Sequence, residues 1–384
     1  MSALLVLCLS IAGFLPLASF RTAAVVEAHL YDRGKATPVV VGAKGSPFLL
    51  TLNTLYFRTR IKEKLPVGTR DRIRAFFKGK VIPLHTFHSV RGVPVVGTTL
   101  AYFRFRGLTP AEGVLPEMLG DAVLGSRAAE KLHAGPGDAV ISDTETVYDI
   151  SAEYPLKMHV TGVLAPTGTP DDDVIFTDLK TAWIMDGIGH GHANPVASAE
   201  QARRLQAEKG KKNPDDAVLF LEAGEVVYNS RLKKYNEVTP GNIQSFHFHG
   251  DPAEFPVSAL ILLPADYEEE VLALSRINLS GDMQAVRPAA VVQEILGILL
   301  DVKRVFDGFS LLLLVSTAAF MVLVLSLQVR QRRGEMIILY RIGGGRHAVE
   351  ALLAMEVGVL LAVSALLAVL LSTGVTALVR AYLA

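Results

Sequence analysis

Three long uncharged stretches dominate the pattern of polar and apolar positions along the chain. The first covers residues 1–20 and stops at Arg21. The second covers 308–329 with the core LLLLVSTAAFMVLVLSL, and the third covers 357–379, ending before Arg380. Each reaches the roughly 20 residues that a helix needs to cross a bilayer. Buried helices of a large soluble core are the alternative, but runs of Leu, Val and Ala of this length, flanked by arginines, read as membrane spans. The first stretch has a further competitor, a cleaved signal peptide, which needs a basic residue ahead of its apolar core and an A-x-A-like cleavage site. Here Ser2 and Ala3 lead straight into LLVLCLSIAGFLPLASF with no positive side chain before Arg21. Cys8 follows Leu5-Val6-Leu7, without the small neighbour that a lipoprotein site requires. The stretch is read as a retained helix, with Pro16 as a point of bending.

Between the first two spans the pattern is mixed. Strand-like runs occur at 37–42 (TPVVVG), 92–97 (GVPVVG), 156–164 (LKMHVTGVL), 173–176 and 217–222 (AVLFLE). Helical periodicity is expected over 122–131 (AVLGSRAAEK), 198–208 and 267–276. Gly and Pro clusters at 135–137, 166–170 and 194–195 punctuate the middle as turns. Strands and helices alternate without a βαβ repeat, so the expected class is an α+β extracytoplasmic domain on an α-helical membrane region of three spans. From 289 to 308, AAVVQEILGILLDVKRVFDG is helical behind Pro288, a residue suited to a first helical turn, and it feeds into the second span.

The segment between the second and third spans, QVRQRRGEMIILYRIGGGRHAVE, sets Arg330, Arg332, Arg333, Arg341 and Arg346 against Glu335 and Glu350. Short arginine-rich loops stay in the cytoplasm. The large segment from Arg21 to about Asp307 is then extracytoplasmic, the N-terminus cytoplasmic, and three spans leave the C-terminus outside.

Composition removes several function classes. Lys and Arg number 38 against 38 Asp and Glu, so a globally basic surface for nucleic acid is not expected. One cysteine excludes a disulfide framework and any multi-cysteine metal or iron–sulfur site. No phosphate loop, H-E-x-x-H or G-x-S-x-G motif is present, and the nearest string, Gly42-Ala43-Lys44-Gly45-Ser46, has the wrong order. The chain is expected not to be an enzyme.

Histidines offer the remaining chemistry. His190 and His192 in GIGHGH follow the carboxylate run 171–173 and lie near Asp186, while His247 and His249 in SFHFHG share one face of a strand by the period of two. Paired imidazoles with carboxylates nearby suit zinc, and His190 and His192 are the candidate ligands. A polar, glycine-rich loop beside an ordinary strand accounts for the same residues. The run 171–173 reads as a solvated turn, Trp183 as a core residue, and Arg287 as an anchor at the helix base. Glu356, near the start of the third span, is either a membrane-buried functional carboxylate or one that reaches the cytoplasmic boundary.

The second span followed by RRGEMIILYRIGGGRHAVEALLAMEVGVLLAV resembles the FtsX-like permeases of ABC transporters. The matching positions are Arg333, Glu335, Leu339, Arg341, Ile342, Gly343 and Glu356. GDAVLGSRAAEKLHAGPGDAV, from Gly120, resembles the MacB-like periplasmic core domain, and VGAKGSPFLLTLNTLYF, GVLAPTGTPDDD and MQAVRPAA resemble one bacterial branch of these permeases. The resemblance implies a first transmembrane helix over 1–21, a periplasmic MacB-like domain over 22–287, a connecting helix over 288–307 and an FtsX-like membrane region over 308–384. Such permeases have four membrane helices, whereas this chain shows three clear spans. The resemblance further implies a multi-pass protein of the bacterial inner membrane, working as a homodimer with a separate cytoplasmic ABC ATPase that binds the ATP. A cytoplasmic loop over 330–348 would couple the two, with Arg332, Arg333, Glu335, Met336, Leu339, Arg341 and Gly343 on the docking surface. The implied function is to carry ATP-driven motion to the periplasmic domain, for export or mechanotransmission. A membrane-anchored periplasmic binding or scaffold protein without an ATPase is the alternative.

Overall fold

The computed structural model describes residues 2–143, 155–191, 220–222, 225–227, 236–331, 333–341 and 346–383. Two compact units emerge, one of residues 1–33 with 292–384, the other of residues 34–291.

The second unit is mixed α and β, built around two sheets. The first has four antiparallel strands in the order Met283–Val286, Val39–Ala43, Ala259–Leu263 and Lys80–Leu84. Val39, Val40 and Val41 are completely buried, as expected of a central strand of β-branched residues covered on both faces. Val39 and Val41 face a core made with Leu260, Leu262, Ala273 and Ile277. The last two belong to the helix Tyr267–Leu279, whose Asp266 cap accepts from the Glu269 amide at 2.8 Å.

The other sheet has seven strands. Its path runs Ser89–Val90, Val93–Thr98, Ile175–Asp178, Asp121–Leu124, Lys157–Leu164 and Pro110–Gly113, and Ala139–Ile141 also pairs with Lys157–Leu164. Two of its pairings are parallel, Val93–Thr98 with Ile175–Asp178 and Asp121–Leu124 with Lys157–Leu164. Lys157–Leu164 alternates half-buried and buried positions along its whole length, the period of a strand with one face on a core. Met158, Val160, Leu124 and Ile175 fill that core, each worth about 1.5–3 kcal/mol when fully buried.

The stretch 122–131, expected as a helix, is a strand followed by a helix, Asp121–Leu124 and then Ser126–Leu132. Gly125 separates them in extended conformation, and the buried run Ala122, Val123 and Leu124 suits a strand between two others. The expected helix over 198–208 lies outside the described residues. The run 171–173 is not a solvated turn. Asp171 and Asp172 are about 1% exposed. Asp171 accepts from the Tyr102 hydroxyl at 2.6 Å, Asp172 from the Thr167 and Gly168 amides, and Asp173 pairs with Arg127 at 2.7 Å. Each acid at this turn therefore has a donor, which is what allows burial.

Among the described residues, Leu5–Lys35, Pro288–Gln331 and Ala354–Tyr382 are three helical stretches long and apolar enough to cross a membrane. The connecting helix and the second span are one helix, Pro288–Gln331, and the first helix continues past Arg21 to Lys35. Small residues line the approach of the first and third helices: Gly13 lies against Ala368, and Ala12, Ser10 and Ser364 are buried. Close packing of this kind is how helices associate in lipid. The hydroxyls of Ser10 and Ser364 bond back into their own helices, Ser10 to the Val6 carbonyl and Ser364 to that of Leu360, both at 2.7 Å, so neither of these two donors faces hydrocarbon.

Candidate functional site

Two groups of three side chains bring metal-ligating atoms together among the described residues, one of two histidines and a carboxylate, the other of three histidines. The first lies at the seam between the two sheets. His85 follows the strand Lys80–Leu84 and forms a bridge with Gly97 of the other sheet, each amide donating to the other's carbonyl at 2.8 Å. Asp186 follows the helix Leu179–Met185, which straddles both cores: Leu179 and Trp183 enter one, Ala182, Ile184 and Met185 the other. Asp178 caps that helix through the Lys180 and Thr181 amides.

His85 Nε2 lies 2.9 Å from one Asp186 oxygen, and His88 Nε2 and Lys64 Nζ lie 3.1 and 3.2 Å from the other. Burial alone raises the Asp186 carboxyl. The imidazole donors and the Lys64 charge outweigh it and hold the group well below the usual carboxylate range. Burial dominates at His85 and lowers its pKa, against the pull of Asp186. The consistent state is an ionised Asp186 neutralised by Lys64, beside a neutral His85. With the lysine cation already on the carboxylate, this trio is a structural ion pair rather than a cation site.

The second group lies on the ladder between Gly189–Gly191 and Phe246–Phe248, where His190 is directly opposite His247. The His249 amide extends the ladder by donating to the Ile188 carbonyl at 2.9 Å. Strand alternation sends Phe246 and Phe248 to one face, where they pack against the domain's cores, and the imidazoles to the other. A Cβ at Gly189 would come within 2.6 Å of the Phe248 ring, and one at Gly191 within 2.7 Å of Phe246. The GHG sequence therefore gives the two aromatic rings space while directing one histidine the opposite way. Ring centroids are 4.7–4.8 Å apart for all three pairs, and His249 Nε2 is 3.3 Å from His190 Nε2.

Of the residues singled out from the sequence, His190 thus meets His247 and His249, while His192 lies outside the described residues. The sequence reading kept the two histidine pairs apart. It missed His85 and His88, whose only sequence signal is the H-x-x-H spacing in LHTFHS. In the arginine-rich segment between the second and third spans, Arg333 and Arg341 bound the helix Arg333–Arg341 and are exposed, as are Ile337 and Ile338. Glu335, Met336 and Leu339 fall on the same helix. Arg332 and Gly343 lie outside the described residues. Glu356 is half-buried in the helix Arg346–Leu383. Trp183 is a core residue as expected, its indole N–H donating to the Pro256 carbonyl at 2.8 Å, and Arg287 pairs with Glu270 at 2.5 Å.

Residues 45–208 match the family description of the MacB-like periplasmic core domain. Two solved structures are similar at low identity. The periplasmic region of MacB from Actinobacillus actinomycetemcomitans is 11% identical with a TM-score of 0.35, over 68% of this chain and 94% of that one. The extracellular domain of the noncanonic ABC-type transporter YknZ from Gram-positive bacteria is 10% identical with a TM-score of 0.34, over 65% and 98%. No curated protein sequence matches the chain. The likeness to the MacB-like core domain read from the sequence is borne out.

Proposed function

We propose, for a chain that carries a MacB-like periplasmic core domain, that it is the permease-type subunit of an ABC transporter in a bacterial inner membrane, coupled to a separate cytoplasmic ATPase. The observation that carries this reading is the family match joined, in one chain, to three apolar helices and an arginine-rich hairpin. The core domain alone would suit a scaffold, and the helices alone would suit any anchor.

The hairpin supplies what ATPase docking requires. Arginines and Glu335 give charge-assisted contacts, and exposed Ile337 and Ile338 give apolar area for the centre of an interface. A helix such as Arg333–Arg341, held between two membrane helices, converts movement of the ATPase into movement of those helices. In this reading Pro288–Gln331 carries the motion onward to the extracytoplasmic domain, because one continuous helix resists bending. The subunit works as a dimer, and ATP is bound by the partner alone.

The test is affinity purification of tagged full-length chain in detergent, compared with a variant carrying R333A, E335A and R341A together. An ABC ATPase is expected with the native chain and reduced at least about tenfold with the variant. Purification without any ATPase, while other membrane partners are retained, would overturn the reading and favour a membrane-anchored scaffold.

A further inference from the structure

We propose that His190, His247 and His249 bind one divalent transition-metal ion of borderline softness, with Zn²⁺ the first choice. The inference stands on the geometry of the ladder and is independent of ATPase coupling.

A tetrahedral zinc site with Zn–N bonds of about 2.0–2.1 Å places its nitrogen ligands about 3.3 Å apart. His190 Nε2 and His249 Nε2 already stand 3.3 Å apart, and ligand atoms from all three residues lie within 4.8 Å of one another. His190 and His247 are held as a directly opposed pair by the ladder, and His249 by its bond to Ile188. Little rearrangement is needed for three nitrogens to share one ion.

The outer contacts fit as well. His247 Nδ1 lies 3.1 Å from the Ser245 carbonyl. A carbonyl only accepts, so this contact places the proton on Nδ1 and makes Nε2 the basic nitrogen of the ring. A second-sphere bond of this sort orients ligating histidines in metal sites generally. Phe246 and Phe248 fix the opposite face to the domain's cores, so the ligands stand on a packed base.

The donor set selects the ion. Three imidazoles with no carboxylate suit zinc, copper or nickel and do not suit magnesium or calcium, which require oxygen. Three protein ligands leave a fourth coordination position for water or another ligand. His247 and His249 are exposed and His190 half-buried, so the ion is open to exchange.

The experiment uses the full-length chain in detergent, freed of metal with a chelator and titrated with zinc chloride by calorimetry. Cobalt(II) absorption reads coordination number in parallel. One zinc per chain is expected, with the intense visible band of four-coordinate cobalt. H249A, beyond the end of the paired strand, should weaken zinc binding at least about 100-fold, since even second-sphere losses reach that range. H159A, a half-exposed histidine bonded to Glu237 elsewhere in the domain, should bind zinc as the native chain does. Acidification should weaken binding, because imidazole ligates only as the neutral form. Absence of saturable binding at micromolar zinc, or zinc binding undiminished in a triple variant H190A, H247A and H249A, would overturn the proposal. A six-coordinate cobalt spectrum in the native chain would do so without any variant.

Discussion

At the scale of single residues, burial decides what each charged group does. Asp186, His85, His88 and Lys64 form one electrostatic unit at the seam of the two sheets, and their titration has a definite sign. His85 has its pKa lowered from 6.5 by burial, so below that value the unfolded chain takes up a proton that the folded chain refuses. Stability therefore falls as pH drops below 6.5. Asp186, lowered from 3.8, adds a second loss in the same direction once the pH falls below 3.8. Unfolding measured as a function of pH should show maximal stability above 6.5 and a steady decline beneath it. H85Q should flatten the decline beneath pH 6.5 and also reduce the loss below pH 3.8, because the His85 imidazole is the foremost donor holding Asp186 low.

At the scale of elements, the helix Leu179–Met185 matters out of proportion to its length. It enters both cores of the extracytoplasmic unit, and Trp183 packs edge-on against Phe255 with centroids 5.0 Å apart. W183A removes that packing and orphans the Pro256 carbonyl. It should cost about 3–5 kcal/mol, read by circular dichroism because the chain has one tryptophan. Side-chain caps open such elements: Ser46 with Pro47 opens the helix Pro47–Tyr56, and Asp178 and Asp266 open two others. The error over 122–131 has a physical origin as well. Alternating and helical patterns coincide over a few apolar residues, and pairing with two neighbouring strands settled the matter.

At the scale of the whole molecule, orientation is the main question, and charge gives the expectation to test. An arginine-rich hairpin in the cytoplasm would place residues 34–291 on the other side of the membrane. Cys8 is the only native cysteine, so a C8A background permits single-cysteine labelling. K131C, exposed on the extracytoplasmic unit, should react with a membrane-impermeant maleimide in intact spheroplasts. R333C should react only after permeabilisation. The reverse pattern would invert the topology and remove the hairpin from reach of any cytoplasmic ATPase.

The sequence by itself determined the three apolar helices, the mixed α and β class and the likeness to the MacB-like core, because each is written in contiguous residues: length, period and local motif. It also marked His190 as a candidate ligand. It did not join His190 to His247 and His249, nor His85 to Asp186, because those partners are separated by 57 or more positions and meet only through strand register and helix packing. His192, which local spacing paired with His190, lies outside the described residues. Nor did the pattern show that Asp171 and Asp172 are buried, since a run of acids looks solvated until Tyr102, Arg127 and the Thr167 and Gly168 amides arrive around it. Local chemistry fixed what each residue could do, and only the tertiary structure decided which residues do it together.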